Sequence, residues 1–251
     1  MGDVPASTCA SDLGSTPEPE MAVSPLLFSA PMVRALLDGR KTQTRRVLAI
    51  RGHRHFSEFG PSDTPGYDWH FRDDGMRWHD LRRDELLVRL PFAVGDLRWV
   101  REPWRTRLDF NPLAPRDIPI GSVIQYDATG PTFEEGLSGR SRPGMFLPRW
   151  ASRLTLRVTG VKVERLQDIS EEDAKAEGVY CGKASGRFAD NYATMAVAGI
   201  WFATARGWYA DLWDRINGPG AWAANPWVIV RTFDVIKANI DVVLTNRETG
   251  G

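Results

Sequence analysis

The chain is short of cysteine and of long apolar runs, and these two shortages exclude several protein classes. Its 251 residues include only Cys9 and Cys181. Neither has a CxxC partner or a zinc-type spacing, so we expect neither a structural disulfide nor a cysteine-based metal site. No apolar stretch approaches the roughly 20 residues of a membrane-spanning helix, and no segment near the N-terminus resembles a signal peptide. We therefore expect a cytoplasmic protein that does not associate with membranes.

The chain also has no excess of charge of either sign. Lys and Arg total 32, Asp and Glu total 32, and the formal net charge is zero, whereas a tight DNA binder is usually strongly basic. The distribution is uneven, because residues 1–24 hold four acidic residues and no Lys or Arg. We interpret this Pro-, Ser- and Gly-containing segment as a disordered leader. The remainder is mildly basic, which is compatible with a nucleoside or nucleic-acid ligand.

The most informative segment is a basic block at residues 40–46, which reads Arg-Lys-Thr-Gln-Thr-Arg-Arg. It follows a short predicted helix that begins near Pro31 and ends at Gly39, where glycine suits a left-handed end. Four cations within seven residues repel one another, so a packed core is not expected to collect them. A site for an anionic or carbonyl-rich ligand would explain why the four cations lie together. The alternative is a solvated basic loop.

The remaining pattern predicts short strands, two further helices and long loops. Strands are expected at residues 86–90, 97–101, 154–163 and 227–236, and a phase slip at Gly160 predicts a β-bulge in the third. Helices are expected at about residues 206–217 and after Ser170, which with Asp173 forms a capping signal ended by Gly178. Loop insertions are expected near residues 51–84, 105–148 and 180–205, with a C-terminal tail at 239–251. These elements favour an α+β fold, a small and partly open β-barrel with flanking helices.

Four segments, in this order along the chain, carry a family resemblance. They are the block at residues 39–46, Gly-Asp-Leu-Arg-Trp-Val-Arg-Glu at 95–102, the capped helix at 166–178, and Asn-Pro-Trp-Val at 225–228. Together they resemble the ASCH domain family of the PUA-like superfamily, in particular its phage and prophage members. The resemblance implies a PUA-like fold over residues 25–238 and, if the protein is phage-encoded, the cytoplasm of a bacterial host.

Within that family, the residue three positions after the lysine separates two groups. Many ASCH domains carry Glu there and are regarded as nucleic-acid-binding modules. Members similar to N4-acetylcytidine amidohydrolases carry Thr, and this chain has Thr44. The resemblance then implies a catalytic trio of Lys41, Thr44 and Glu177 that hydrolyses the amide of an N4-acylated cytidine. Thr44 would attack the acyl carbonyl, Lys41 would take its proton and Glu177 would protonate the departing nitrogen, with no metal or other cofactor.

The chemistry of the trio sets two conditions that the structure must meet. A threonine hydroxyl is a poor nucleophile and needs an adjacent base, so the Lys41 amine must be partly neutral. Burial and the neighbouring arginines would lower the pKa of Lys41 in the required direction. Residues three apart share a face in a turn or helix but not in an extended strand. We therefore predict that residues 41–44 do not form a regular strand.

Six further side chains are predicted to bind the substrate. Arg45 or Arg46 would hold the oxyanion, a tryptophan would stack on the base, and a glutamate would accept from the base's N–H or amine. Core packing is the alternative for each tryptophan, and an ion pair with Arg98 or Arg101 is the alternative for the glutamate. The predicted set is Arg40, Arg45, Arg46, Trp99, Glu102 and Trp104.

Three other functions are compatible with parts of the sequence. The same pocket would suit a binding module that recognises a modified or unpaired base in RNA or DNA without turnover. An ASCH-type ribonuclease is a variant of that idea, although no histidine lies in the four segments. A metal-dependent nuclease would draw on the first insertion, whose spacing matches no standard ligand set, so we expect no metal there: His53, His55, His70, Asp73, Asp74 and His79. Whether the partner is a free nucleoside or a single-stranded polymer stays open, as does the oligomeric state.

Overall fold

A computed structural model describes residues 21–53, 55–179 and 202–249. Its strands are β1 (Val23–Leu27), β2 (Gln43–Val47), β3 (Phe56–Pro61), β4 (Trp69–Asp73), β5 (Trp78–Leu81), β6 (Leu97–Arg101), β7 (Trp104–Arg105), β8 (Gln125–Tyr126), β9 (Thr155–Arg165) and β10 (Trp227–Ile236). Its α-helices are α1 (Ala30–Leu37), α2 (Arg83–Arg89), α3 (Glu171–Ala176), α4 (Ala205–Asn217) and α5 (Ile240–Thr249). None of these helices is long and apolar enough to cross a membrane.

The main sheet has five strands in the order β1-β6-β9-β10-β2. β1 runs parallel to β6, and the other neighbours are antiparallel. The α+β class is therefore as predicted from the sequence. Within the described ranges no sheet closes into a barrel, and the PUA-like assignment stays a prediction.

The bulge predicted in the long third strand is present in β9. Thr232 of β10 pairs with Gly160, whereas the next residue, Phe233, pairs with Val158, so Thr159 is the extra residue. A Cβ added at Gly160 would lie 2.5 Å from the Thr232 hydroxyl oxygen, which explains why glycine stands at this point. The register shift bends the strand and changes which of its side chains face the core.

Two helix ends hold the basic block in place, and both have the predicted signals. Gly39 adopts a φ of 72° after α1, and the chain turns back at once, since the Lys41 N–H donates to the Ala35 carbonyl at 3.0 Å. Helix α3 begins with the Ser170 hydroxyl accepting from the Asp173 N–H and is followed by Gly178 at a φ of 102°. The Thr42 N–H donates at 2.9 Å to the backbone oxygen of Ala176, the last residue of α3. The block therefore crosses from one helix end to the other before β2 begins.

The prediction of a loop insertion near residues 51–84 is wrong, because residues 56–81 form a three-stranded antiparallel sheet of β3, β4 and β5. Its aromatic side chains alternate with polar ones and pack beneath the main sheet around fully buried Phe71 and Ile229 of β10. The strand predicted at residues 86–90 is also wrong. That segment belongs to α2, whose start is capped by the Glu85 carboxylate accepting from the Arg82 N–H at 2.8 Å.

The predicted boundaries need three adjustments. Ser24, assigned to the leader, lies in β1 and pairs with β6. The segment interpreted as a C-terminal tail contains α5, and its first residue, Ile240, is fully buried against β6. Residues 105–148 are loop-rich as predicted, with only the end of β7, β8 and isolated helical turns. Residues 1–20, most of the insertion at 180–205 and both cysteines lie outside the described residues.

Candidate active site

A cavity of about 390 Å³ lies beside β2. Its lining comes from the end of β1 and most of β2, which are the two outer strands of the main sheet, and from α1 and α4. The polar lining includes Lys41, Thr44, Arg45, Arg46, Glu177 and Tyr209, and the apolar lining includes Phe28, Met32, Val47, Leu212, Trp213 and Ile216. All three residues of the predicted trio therefore line the same cavity.

The lysine and glutamate of the trio form a buried ion pair. Lys41 Nζ donates to Glu177 Oε2 at 2.8 Å and to the Glu177 backbone oxygen at 2.9 Å, across 136 residues of chain. Each side chain is only 3% exposed. The backbones of the two residues also meet in an isolated β-bridge. Both the main chain and the side chains therefore fix this pair.

Burial lowers the pKa of Lys41 below its usual value. The nearby Glu177 carboxylate opposes this shift, while the positive charges of Arg46 and Arg45 add to it. The direction agrees with the sequence prediction, and burial is the larger cause. A lysine in this state reaches its neutral, basic form at a lower pH than a solvated lysine does.

Thr44 is buried within β2, so the prediction that residues 41–44 avoid strand geometry is wrong for half of the segment. Lys41 and Thr42 precede the strand, and the chain changes direction there between two helix ends. Lys41 and Thr44 line one cavity although no helical turn joins them. The sequence argument assumed a single regular conformation across the segment, and the strand boundary falls inside it.

Arg45 is held by carboxylates on three sides. Its guanidinium donates to Glu164 Oε1 at 2.9 and 3.0 Å, to Asp173 Oδ2 at 2.8 Å and to Glu177 Oε1 at 3.0 Å. The residue is 1% exposed. Its donors are used within the protein, so the structure does not support the predicted oxyanion role for Arg45. Its role is to orient Glu177.

Arg46 and Arg40 differ from Arg45 in their surroundings. Arg46 lines the cavity and donates to the Leu27 backbone oxygen at 3.4 Å, and it forms no ion pair with any described residue. Arg40 does not line the cavity. Its guanidinium donates to the Gly178 backbone oxygen at 2.8 Å and so holds the segment that follows α3. Of the predicted cations, Arg46 is the one placed to meet a ligand.

Trp99, Glu102 and Trp104 do not line the cavity. Trp99 packs against Ile240 of α5, and Trp104 is fully buried in a separate apolar cluster. The Glu102 carboxylate pairs with Arg153 at 2.8 and 2.9 Å, which is a different arginine from the two considered as partners. These three side chains therefore lie away from the cavity, in apolar clusters or in an ion pair, and their role in substrate binding stays a prediction.

Helix α4 supplies cavity residues that the sequence did not single out. Burial, followed by the negative charge of the Glu177 carboxylate, raises the pKa of Tyr209 well above its usual value. Arg45 lies 6.0 Å from the Tyr209 ring centre, and Trp213 lines the cavity one turn further along. The apolar spacing of α4 predicted a buried face, and such a pattern does not distinguish a cavity wall from a filled core.

Comparison with known proteins adds no relative to this description. Neither the protein-family models, nor the curated proteins, nor the solved structures include a match to this chain. The resemblance to ASCH domains therefore rests on the four quoted segments alone. What the cavity does has to be inferred from its own residues.

Proposed function

We propose that the protein hydrolyses the amide of an N4-acylated cytidine, or of a related acylated pyrimidine, in the cavity that Lys41, Thr44 and Glu177 share. One observation carries the proposal: a buried lysine–glutamate pair in direct contact and a threonine hydroxyl line one cavity. The cavity volume of about 390 Å³ lies within the range of roughly 300–1,000 Å³ that holds small ligands.

The contact between Lys41 and Glu177 supports paired acid and base roles. One proton transfer from Lys41 Nζ to Glu177 Oε2, across 2.8 Å, turns the ion pair into a neutral amine and a carboxylic acid. Burial favours such a neutral pair, because removal from water penalises charge. The general base and the general acid that the reaction needs are thus two products of the same step, and the net charge of the site does not change.

The reaction then balances as an acyl transfer. Thr44 Oγ attacks the acyl carbonyl carbon while its proton passes to Lys41, and Arg46 stabilises the oxyanion. The C–N bond breaks, Glu177 protonates the leaving nitrogen of cytidine, and an ester remains on Thr44. The proton then passes again from Lys41 to Glu177; a water molecule gives a proton to the neutral Lys41 amine and attacks the ester carbonyl. The ester C–O bond breaks, Glu177 returns a proton to Thr44 Oγ, and the carboxylic acid is released. Arg45 holds Oε1 of Glu177 at 3.0 Å throughout and leaves Oε2 directed to Lys41.

The test is release of cytidine from N4-acetylcytidine, followed by chromatography. Lys41→Ala and Thr44→Val are expected to lower kcat by about 10²–10⁴-fold, the usual size of a lost acid–base or nucleophilic function. Thr44→Ser keeps a hydroxyl and should retain part of the rate. Thr42→Val is the matched control, because Thr42 is exposed and does not line the cavity. Absence of turnover by the wild type on nucleoside, nucleotide and oligonucleotide substrates would refute the proposal.

A binding module without turnover is the second candidate function. The observation that favours it is that Lys41, Arg45 and Glu177 already satisfy one another, so the cavity is stable with no reaction to perform. In that case N4-acetylcytidine would bind with an affinity that Arg46→Met weakens, and it would be recovered unchanged. A ribonuclease lacks such support, because no histidine among the described residues lines the cavity.

A further inference from the structure

A second polar cluster lies on the small sheet, outside the cavity. It comprises His53 in the connection between β2 and β3, Asp73 at the end of β4, and His79 in β5. Their ring nitrogens and carboxylate oxygen all lie within 4.8 Å of one another. From these contacts we infer that His53, Asp73 and His79 bind one divalent transition-metal ion, for which Zn²⁺ is the best chemical match.

The ligand types support this choice. Imidazole nitrogen together with carboxylate oxygen suits zinc and its first-row neighbours, whereas Ca²⁺ and Mg²⁺ favour sites made of oxygen alone. Three protein ligands leave one tetrahedral position for water. Sequence spacing concealed the site, because the ligands meet only after β4 and β5 pair and bring Phe71 opposite His79.

The spacing of the ligand atoms is close to what a tetrahedral ion needs. Zinc bonds of 2.0–2.1 Å place neighbouring ligand atoms about 3.4 Å apart. His79 Nε2 already lies 2.8 Å from Asp73 Oδ2, and the three ligand atoms lie within 4.8 Å of one another. The two imidazole rings are 5.0 Å apart between centres. Small shifts of these atoms would bring them to the spacing around a bound ion.

The surroundings hold the three ligands in orientation. Fully buried Phe71 stacks on His79 at 4.7 Å and meets the His53 ring edge-on at 4.7 Å, so it positions both imidazoles. Asp73 Oδ1 accepts from the Arg77 backbone N–H at 3.0 Å, which turns Oδ2 toward His79. A ligating carboxylate whose other oxygen accepts a hydrogen bond from the protein is typical of metal sites.

A hydrogen-bonded turn is the competing explanation, since the Arg77 guanidinium also contacts Asp73 Oδ2 at 3.0 Å. The Arg77 side chain is 77% exposed, so its charge is screened by water and it can swing away. The turn also leaves unexplained why His53 approaches from a separate segment. A bound ion would tie that segment, which follows the strand carrying Thr44 and Arg46, to the small sheet.

The four histidines of the chain provide a matched test, because two belong to the cluster and two do not. Chelator-treated protein is titrated with ZnCl₂ by calorimetry and with CoCl₂ by visible absorption. The wild type should bind one equivalent, with a tetrahedral cobalt spectrum. His53→Gln/His79→Gln should bind more than about 100-fold more weakly, because loss of a mere supporting contact already weakens metal binding 10–100-fold. His55→Gln/His70→Gln should bind like the wild type.

Two results would overturn the inference. One is the absence of stoichiometric binding by the wild type, and the other is an equal loss of binding in both double variants. Asp73→Asn provides a second check if the first double variant does not fold, since the amide preserves the shape of the side chain and removes its charge. It should fold and bind zinc weakly, and wild-type affinity in this variant would also overturn the inference.

Discussion

Arg45 and Arg46 are neighbours in sequence, yet they should respond very differently to the same substitution. Arg45→Met keeps a long apolar stem and removes the guanidinium donors that Arg45 gives to Glu177, Glu164 and Asp173. Arg46→Met removes a partly exposed cation that has no ion-pair partner among the described residues. Comparing these two variants distinguishes an arginine that stabilises the fold from one that binds a ligand, because both carry the same substitution.

The expected magnitude follows from the exposure of the three carboxylates. Glu177 is 3% exposed and keeps Lys41 as its partner, so losing Arg45 leaves the buried Oε1 without its donor, which destabilises by about 1–3 kcal/mol. Glu164 and Asp173 are 14% and 20% exposed and still contact Lys162, so each adds only about 0–1 kcal/mol. Together these terms come to about 1–5 kcal/mol. At 2–4 °C per kcal/mol for a chain of this size, Arg45→Met should lower Tm by roughly 2–20 °C.

Calorimetry and urea unfolding followed by tryptophan fluorescence measure this difference. Arg46→Met should change the free energy of unfolding by no more than about 0.5 kcal/mol, as surface substitutions usually do. Equal melting temperatures for Arg45→Met and Arg46→Met would refute the assigned roles.

Two further predictions concern the catalytic step. The proposed step needs the proton that Lys41 and Glu177 share, so cytidine release should fall as rising pH removes it through the Lys41 pKa, which burial lowers and Glu177 raises. Glu177→Gln should reduce kcat because it removes the acid, and a rate that keeps rising through this pH range would contradict the shared-proton step. Gly178→Ala should reduce kcat more than Gly218→Ala. Both glycines have a φ of 102°, but only at Gly178 would the new Cβ press on Lys41, at 3.0 Å; equal losses in steady-state assays would argue against this contact.

Local signals made much of the fold predictable from the sequence. The strand at residues 97–101, the final strand at 227–236 and the bulge at Gly160 depend on alternation and on one glycine, and all are present in the structure. The start of α3 depends on a serine cap that acts within four residues. Such features need no knowledge of distant contacts.

The small sheet and much of the site depend on distant contacts, which explains why they were missed. The sheet is stabilised by aromatic packing, as where Phe59 stacks on Trp69 at 5.2 Å and both rings meet Trp227, and no periodic pattern announces that packing. Arg45 looked available for a ligand because its carboxylate partners lie 119–132 residues further along the chain. The grouping of Lys41 with Glu177 came from the family resemblance, and spacing alone would not have suggested it.

The position of β10 in the main sheet has a consequence for synthesis of the protein. β10 lies between β2 and β9 and is the strand to which β2 is hydrogen-bonded. A ribosome releases the lysine and threonine of the cavity long before it releases Trp227–Ile236. Contacts between such distant parts of a chain form late, because closing a long loop is entropically unfavourable. Nascent or truncated chains that end before β10 should therefore have no working cavity.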